Sequence, residues 1–270
     1  MNTKNGCPIG VCNWSLKQDL AGTIRSLQVM GISHVHLGVR PALQEGGEEF
    51  VRAVRLAGWT ITSAMIGCAQ EDYSSLDSIR QTGGIVPDAT WPSNRETFGR
   101  AADVAAALGT PCISMHAGFL DHRDSQAASV FYRRMSDLAD AAGQRGLTLL
   151  METGQETAAD LRRFMEDLKH PALGINLDPA NMILYDKGDP IEAVRQLAPW
   201  IRHVHIKDAL RTKTPGQWGK EVPWGDGEVG APAFLAALSE IGYRGPLAIE
   251  REGGESRMDD IRKAISRLSA

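Results

Sequence analysis

Hydrophobic positions along the chain follow two rhythms that take turns. Short apolar runs such as Leu147-Thr-Leu-Leu-Met-Glu152 and Leu173-Gly-Ile-Asn-Leu-Asp178 have the length and composition of strands. Between such runs, apolar residues recur every three or four positions, as Phe50, Val51, Val54 and Ala57 do, which is the stripe of a helix packed on one side. The pattern predicts strands over 9–14, 34–38, 59–66, 111–116, 147–152, 173–178, 201–207 and 246–250. Helices are predicted from an Asp19 cap through Ile24, Leu27 and Met30, over 48–57, from a Ser93 or Asn94 cap to Leu108, and over 125–145, 157–168, 190–197, 232–241 and 256–268. Gly31, Gly58 and Gly109 stand where helices should stop, and Pro190 stands in a first turn.

Eight strand and helix units in 270 residues match an α/β fold of the (β/α)8 TIM-barrel type. A doubly wound open sheet is the rival, but its first strand would lead into a glycine-rich phosphate loop, and Cys12-Asn13-Trp14-Ser15 is unlike one. No linker or low-complexity stretch divides the chain, so residues 1–270 read as a single domain. The pattern lapses twice. Residues 67–92 are rich in Gly, Pro, Ser and Asp, with a short helical piece over 76–79, and suggest a lid or substrate-facing segment. Residues 209–230 form a second long loop that carries Trp218 and Trp224.

Composition narrows the function classes. Hydrophobic residues at 43% and charged residues at 23% exclude a disordered or fibrous chain. A formal charge of −4 argues against a general nucleic-acid partner. No apolar run reaches the length of a membrane span, and residues 1–6 lead into no signal-peptide core, so a cytoplasmic protein with no membrane partner is expected. Cys7, Cys12, Cys68 and Cys112 have unrelated spacings and read as reduced thiols, with Cys112 in the core.

In a barrel the chemistry gathers where strands end. The predicted strands end in or near His36, His116, Glu152, Asp178, His205 and Glu250. Strand alternation puts Thr148, Leu150 and Glu152 on one face, and likewise Asn176 with Asp178, Ala248 with Glu250, and His203, His205 and Lys207 together. Carboxylates converging on one buried mouth repel one another unless protonated or bound to a cation, so a divalent metal is implied. Three carboxylates and an imidazole suit manganese or magnesium, with zinc and cobalt as alternatives. Each residue also has a plainer reading: Asp178 as a turn starter before Pro179, Glu250 as a surface charge, His116 as a core histidine, Lys207 as a salt-bridge partner of Asp208, Arg251 as a partner of Glu250 or an outward charge. Trp14, Trp218 and Trp224 read either as faces for sugar stacking or as loop packing.

Met115-His116-Ala-Gly118, Met151-Glu152-Thr-Gly, Asn176-Leu-Asp178-Pro-Ala-Asn181, His203-Val-His205-Ile-Lys-Asp208 and Ala248-Ile-Glu250 together resemble the xylose-isomerase-like barrel superfamily over nearly the whole chain. That superfamily, which includes AP endonuclease family 2, spans ketose 3-epimerases, hydroxypyruvate isomerase, inosose dehydratase and endonuclease-IV-type nucleases. The resemblance implies that Glu152, Asp178, His205 and Glu250 bind one divalent metal, most readily Mn2+. It implies that Glu152 and Glu250 are the acid and base of a sugar isomerase or epimerase. The metal would hold a carbonyl oxygen and its neighbouring hydroxyl while a proton is moved through an enediolate. His116, Asn181, Lys207, Trp14 and Trp218 are the expected substrate contacts, and an unphosphorylated sugar the expected substrate. His203, one layer deeper, reads as a core or supporting residue. A lyase or dehydratase on a sugar derivative is the alternative. A nuclease is third, because the extra histidine of the trinuclear site is replaced by Asn181. Barrels of this kind often pair, which leaves a homodimer or homotetramer open.

Overall fold

The computed structural model describes residues 1–3, 5–214 and 216–269. In chain order the strands are β1 (Ile9–Cys12), β2 (His34–Gly38), β3 (Thr60–Met65), β4 (Cys112–Met115), β5 (Thr148–Glu152), β6 (Leu173–Leu177), β7 (Ile201–Ile206), β8 (Asp208–Leu210), β9 (Lys220–Val222) and β10 (Leu247–Ile249). Eight of them close into a parallel barrel in the order β1-β10-β7-β6-β5-β4-β3-β2. The helices are α1 (Leu20–Val29), α2 (Gly47–Leu56), α3 (Leu76–Thr82), α4 (Trp91–Ala107), α5 (Ser125–Gly143), α6 (Ala158–Leu168), α7 (Pro179–Leu184), α8 (Pro190–Leu197), α9 (Ala231–Glu240) and α10 (Arg257–Ser269). The expected (β/α)8 barrel is therefore the fold. No helix among the described residues is long and apolar enough to cross a membrane.

Strand alternation divides the core in two. Val11, Val35, Ile113, Leu149, Ile175 and Val204 are fully buried in one apolar cluster with Phe98, Phe131, Phe164 and Phe234 from the helices. At about 25 cal/mol per Å2 of apolar surface, this layer supplies most of the driving force for closure. The other strand face points into the barrel and is unusually polar: His36, Ser114, Asn176, His203 and His205 are all fully buried.

Several boundaries differ from the sequence expectation for local reasons. β1 stops at Cys12, and a 3-10 turn over Asn13–Leu16 carries Trp14. Asn13 Oδ1 accepts the Gly38 N–H at 2.7 Å, turning the chain over the barrel mouth. α4 begins at Trp91, with Pro92 in its first turn, so neither Ser93 nor Asn94 is the cap. Asn94 is instead buried, its amide donating to the Gly84 carbonyl at 3.4 Å. The segment after β6, read as loop, opens as α7, with Asp178 as its N-cap and Pro179 at its start. Residues 209–230 are not wholly irregular either, because β8 and β9 pair as an antiparallel hairpin.

Asp208 holds that hairpin and the turn after it. Its carboxylate is fully buried and accepts four backbone N–H groups, from Ala209 (2.9 Å), Gly225 (2.9 Å), Gly227 (3.1 Å) and Val229 (3.1 Å). Gly227 is required there, since a Cβ would lie 2.2 Å from Asp208 Oδ1. Lys207 and Asp208 thus do not pair with each other, as alternation along a strand would predict. Asp208→Ala leaves buried N–H groups without an acceptor and should cost about 3 kcal/mol of stability, read from urea unfolding. A loss below about 0.5 kcal/mol, the range of ordinary surface substitutions, would contradict this latch.

Candidate functional site

Four strand ends meet at the barrel mouth. Glu152 closes β5, Asp178 follows β6, His205 lies near the end of β7 and Glu250 follows β10. His205 Nδ1 lies 3.4 Å from Glu152 Oε1, 3.3 Å from Asp178 Oδ2 and 3.3 Å from Glu250 Oε2. One donor atom from each residue falls within 4.8 Å of all the others. Such spacing fits a single small ion: donors about 2.0–2.2 Å from a metal lie about 3.0–3.5 Å apart at octahedral or tetrahedral angles. The expected donor set is thus brought together and could hold one divalent cation.

Local structure aims each carboxylate. Asp178 uses Oδ1 to cap α7, accepting the Asn181 N–H at 2.8 Å, which turns Oδ2 toward His205. Glu152 Oε1 accepts from Asn181 Nδ2 at 3.0 Å, and Oε2 from Asn176 Nδ2 at 3.3 Å. Glu250 Oε1 accepts from Trp14 Nε1 at 2.8 Å, and Oε2 from Lys207 Nζ at 2.8 Å. Gly154 permits the close approach of Asn181, whose Cβ would be 2.5 Å from a Cβ at that glycine.

Charge in this buried space is balanced mainly by two cations. Burial opposes the charge on Lys207, but Glu250, Glu252 and Asp178 hold its pKa well above the ordinary lysine value. Burial likewise opposes protonation of His205, yet Cys12, Glu250, Glu152 and Asp178 raise its pKa well above the ordinary histidine value. Burial pushes the Cys12 thiol up to about 12, so at neutral pH it is the carboxylates that act on His205. Glu250 runs the other way: against burial, Lys207 and His205 hold it well below the usual carboxylate range.

Above the donors lies a cleft of about 550 Å3, lined by Trp14, Tyr73, His116, Asn181, Tyr185, Lys207 and Trp218 among others. All five residues expected to contact substrate therefore face it. Lys207 Nζ bonds Glu250 and Glu252, each at 2.8 Å, and Asn181 Oδ1 at 3.3 Å. His116 Nε2 is 3.5 Å from Glu152 Oε1. Its Nδ1 and the Trp218 Nε1 are buried with no protein partner among the described residues. Trp224 does not reach the cleft; it is buried with its ring centroid 6.0 Å from that of Phe234 and packs the loop down. Arg251 pairs with Glu221 (2.7 Å) and Asp260 (2.9 Å) rather than with Glu250.

His36 is displaced from its expected place at the mouth. β2 runs on to Gly38, which lines the cleft, so His36 lies inside the barrel against His205. His203 lies deeper, as expected, bonding Asn176 Oδ1 (2.9 Å) and Thr62 Oγ1 (3.0 Å). Glu71, Tyr73, Tyr185 and Glu252 line the cleft without having been singled out in the sequence. Glu71 and Tyr73 stand in the 67–92 segment read as a lid, which is the signal the sequence offers for them. Besides the mouth cluster, the donor groups among the described residues comprise only Cys12, His36 and His205, which share a member with it. The described residues thus offer nothing like a trinuclear centre.

Residues 24–270 match the family described as xylose isomerase-like TIM barrel. The chain belongs to that family. Among solved structures, it is similar to a xylose isomerase domain protein from Planctomyces limnophilus, with 35% identity and a TM-score of 0.86 over 97% of this chain and 95% of that one. Among curated proteins, it is 26% identical to the ketose 3-epimerase of Arthrobacter globiformis, across 58% of this chain and 55% of that protein. It is 30% identical to a 3-dehydroshikimate dehydratase of Bacillus anthracis, across 54% of each. The match thus spans about half the length of these two curated relatives. Xylose isomerase-like relatives of this chain accordingly include an epimerase and a dehydratase.

The donor geometry predicts uptake of one divalent ion per chain, with Mn2+ as the probe. At a hundredfold excess over Kd it should add about 2.7 kcal/mol of stability, seen as a rise in Tm that His205→Ala abolishes. A ligand whose pKa is raised in the metal-free protein must lose its proton to bind. Mn2+ affinity should therefore fall as pH is lowered from 8 to 6, with proton release seen by calorimetry in buffers of different ionisation enthalpy. Affinity independent of pH would contradict the assignment of His205.

Proposed function

We propose that the protein is a metal-dependent sugar isomerase or epimerase acting on an uncharged ketose or keto-sugar. The observation that carries this reading is the pair of buried glutamates, Glu152 on β5 and Glu250 after β10, flanking one donor cluster at the floor of a sugar-sized cleft. A divalent ion held by Glu152, Asp178, His205 and Glu250, with manganese proposed first and magnesium, cobalt or zinc as alternatives, would supply positive charge beside the substrate's carbonyl and hydroxyl oxygens as an enediolate develops.

The remaining work falls to the chain's own side chains. One glutamate, as carboxylate, removes the proton from the carbon next to the carbonyl, and the other, as acid, returns one to the opposite face. Two strands, β6 and β7, separate them around the barrel, so the two groups approach a bound sugar from different sides. Lys207 places an ammonium beside Glu250 and Asn181, where it favours a developing oxyanion. His116 and Trp218 each keep a buried N–H or ring nitrogen free for sugar hydroxyls. Trp14, Tyr73 and Tyr185 offer apolar walls. The cations lining the cleft, Arg40 and Lys207, are already engaged by the Gly67 carbonyl and by Glu250 and Glu252, and Glu71 adds a further carboxylate. An uncharged sugar suits such a lining better than a phosphorylated one.

A dehydratase is the second reading, supported by the similarity to 3-dehydroshikimate dehydratase. It would use the same proton removal, followed by loss of a β-hydroxyl. Incubation with Mn2+ and a panel of ketoses and keto-sugars in D2O separates the two. An epimerase incorporates solvent deuterium next to the carbonyl of the ketose and of its epimer, whereas a dehydratase yields a product one water lighter. Glu152→Gln and Glu250→Gln should each lower kcat by about 10²–10⁴-fold with KM little changed. Full turnover in either variant would refute the two-glutamate mechanism.

A further inference from the structure

The proposed chemistry leaves unused a chain of polar side chains inside the barrel. His205 presents Nδ1 to the carboxylates and Nε2 downward, where it lies 2.9 Å from His36 Nδ1. His36 Nε2 lies 2.7 Å from Ser114 Oγ. Ser114 Oγ lies 3.1 Å from the Ala64 carbonyl oxygen, and 3.3 Å from Met65 Sδ. All three side chains are fully buried, so each polar hydrogen needs an acceptor within the protein.

The Ala64 carbonyl fixes the direction of the chain. A carbonyl only accepts, so the Ser114 hydroxyl donates to it and its oxygen accepts from His36 Nε2–H. His36 has no carboxylate within bonding distance and is neutral, so with its single proton on Nε2 its Nδ1 is an acceptor. His205 must then carry a proton on Nε2, so Nδ1 is the nitrogen that gives up its proton and turns its lone pair to the donor cluster when a cation binds. Asn176 pulls the other way. Its Oδ1 is taken by His203 at 2.9 Å, and its Nδ2, besides donating to Glu152, lies 3.1 Å from His205 Nε2. An amide N–H there would favour the opposite tautomer, with the proton on Nδ1. Nor do Cys12, His36 and His205 serve as a site of their own. Two imidazole nitrogens on one tetrahedral ion lie about 3.3 Å apart, whereas these lie at 2.9 Å.

We propose that Ser114 and His36 are positioning residues: the run Ala64 carbonyl, Ser114, His36, His205 holds His205 in its Nε2–H form and so keeps Nδ1 available to a metal. The proposal rests on His205 being a metal ligand, as the proposed function requires. It is tested on the purified 270-residue chain by Mn2+ calorimetry, which needs no sugar substrate. His36→Leu removes the acceptor, lets Asn176 donate to Nε2, and should weaken Mn2+ binding by about 10–100-fold. His36→Gln, whose amide can accept from His205 and donate to Ser114, should recover affinity to within a few-fold. Ser114→Ala should fall between them. Histidine 15N NMR of the Zn2+-loaded parent reads the tautomer directly and remains decisive if His36→Leu does not fold. A proton on His205 Nε2 supports the relay; a proton on Nδ1 overturns it. Equal affinity in the parent, His36→Leu and Ser114→Ala overturns the relay alone. Failure of the parent to bind either metal overturns the metal-centred reading of the site as well.

Discussion

The site depends on one imidazole with both nitrogens committed. His205 is fully buried, with three carboxylate oxygens 3.3–3.4 Å from Nδ1 and His36 2.9 Å from Nε2. Each buried charge carries a desolvation penalty of about several kcal/mol unless it is paired and hydrogen-bonded. The surrounding donors answer that requirement: Trp14 and Lys207 on Glu250, Asn176 and Asn181 on Glu152, and the Asn181 backbone on Asp178. Most of the neighbours of the cluster can be understood as partners for an oxygen that would otherwise be buried bare. When His205 carries two protons, the Nδ1 proton sits among carboxylates and is the one an incoming cation would displace. The Nε2 proton keeps its acceptor throughout.

A barrel interior is usually packed with branched apolar side chains, and this one is not. Thr62, Ser114, Asn176, His36 and His203 form a hydrogen-bonded interior beneath the mouth. Such a network is favourable only when each member is satisfied, and one lost partner strands several others. Rigidity is the return. A ring held from below by His36 and by aromatic edge contacts with Trp14 and His203 has little freedom to rotate away from the carboxylates around Nδ1. The apolar layer between strands and helices carries stability separately, so the interior can be given over to orientation.

Residues whose position follows from strand alternation were legible in the sequence. Glu152, Asp178, His205 and Glu250 each stand at the end of an apolar run, on its inward phase, and four such ends are hard to read otherwise. Features set by partners distant in sequence were not. His36 was placed at the mouth because nothing in His34-Val-His36-Leu-Gly38 tells where the strand meets the rim. Glu252 and Glu221 gave no sign that they would meet Lys207 and Arg251, because Glu252 lies in a loop and Glu221 in the three-residue strand β9. The hairpin of β8 and β9 has only three residues a side, too few to show a period of two. For α7 the signal was present, since an aspartate followed by proline is a helix start as well as a turn start, but six residues left no apolar stripe to decide between them.

Alternation also explains how the site and its scaffold are built from the same short segments. On each of three strands the residue that faces the cluster is followed by one pointing the other way, and that neighbour is a clamp. After Glu152, Thr153 Oγ1 donates to the Asp178 carbonyl at 2.9 Å and accepts the Asp178 N–H at 2.8 Å, tying together the two strand ends that carry Glu152 and Asp178. After Lys207, Asp208 gathers the backbone of the loop that carries Trp224 and leads to α9. After Glu250, Arg251 pins β9 through Glu221 and α10 through Asp260. A one-residue slip in any of these strands would exchange cleft residue for clamp, burying a latch in the cleft and turning a member of the cluster outward. The site's register is therefore protected twice, by the cost of misplacing the charge and by the loss of the loop it holds.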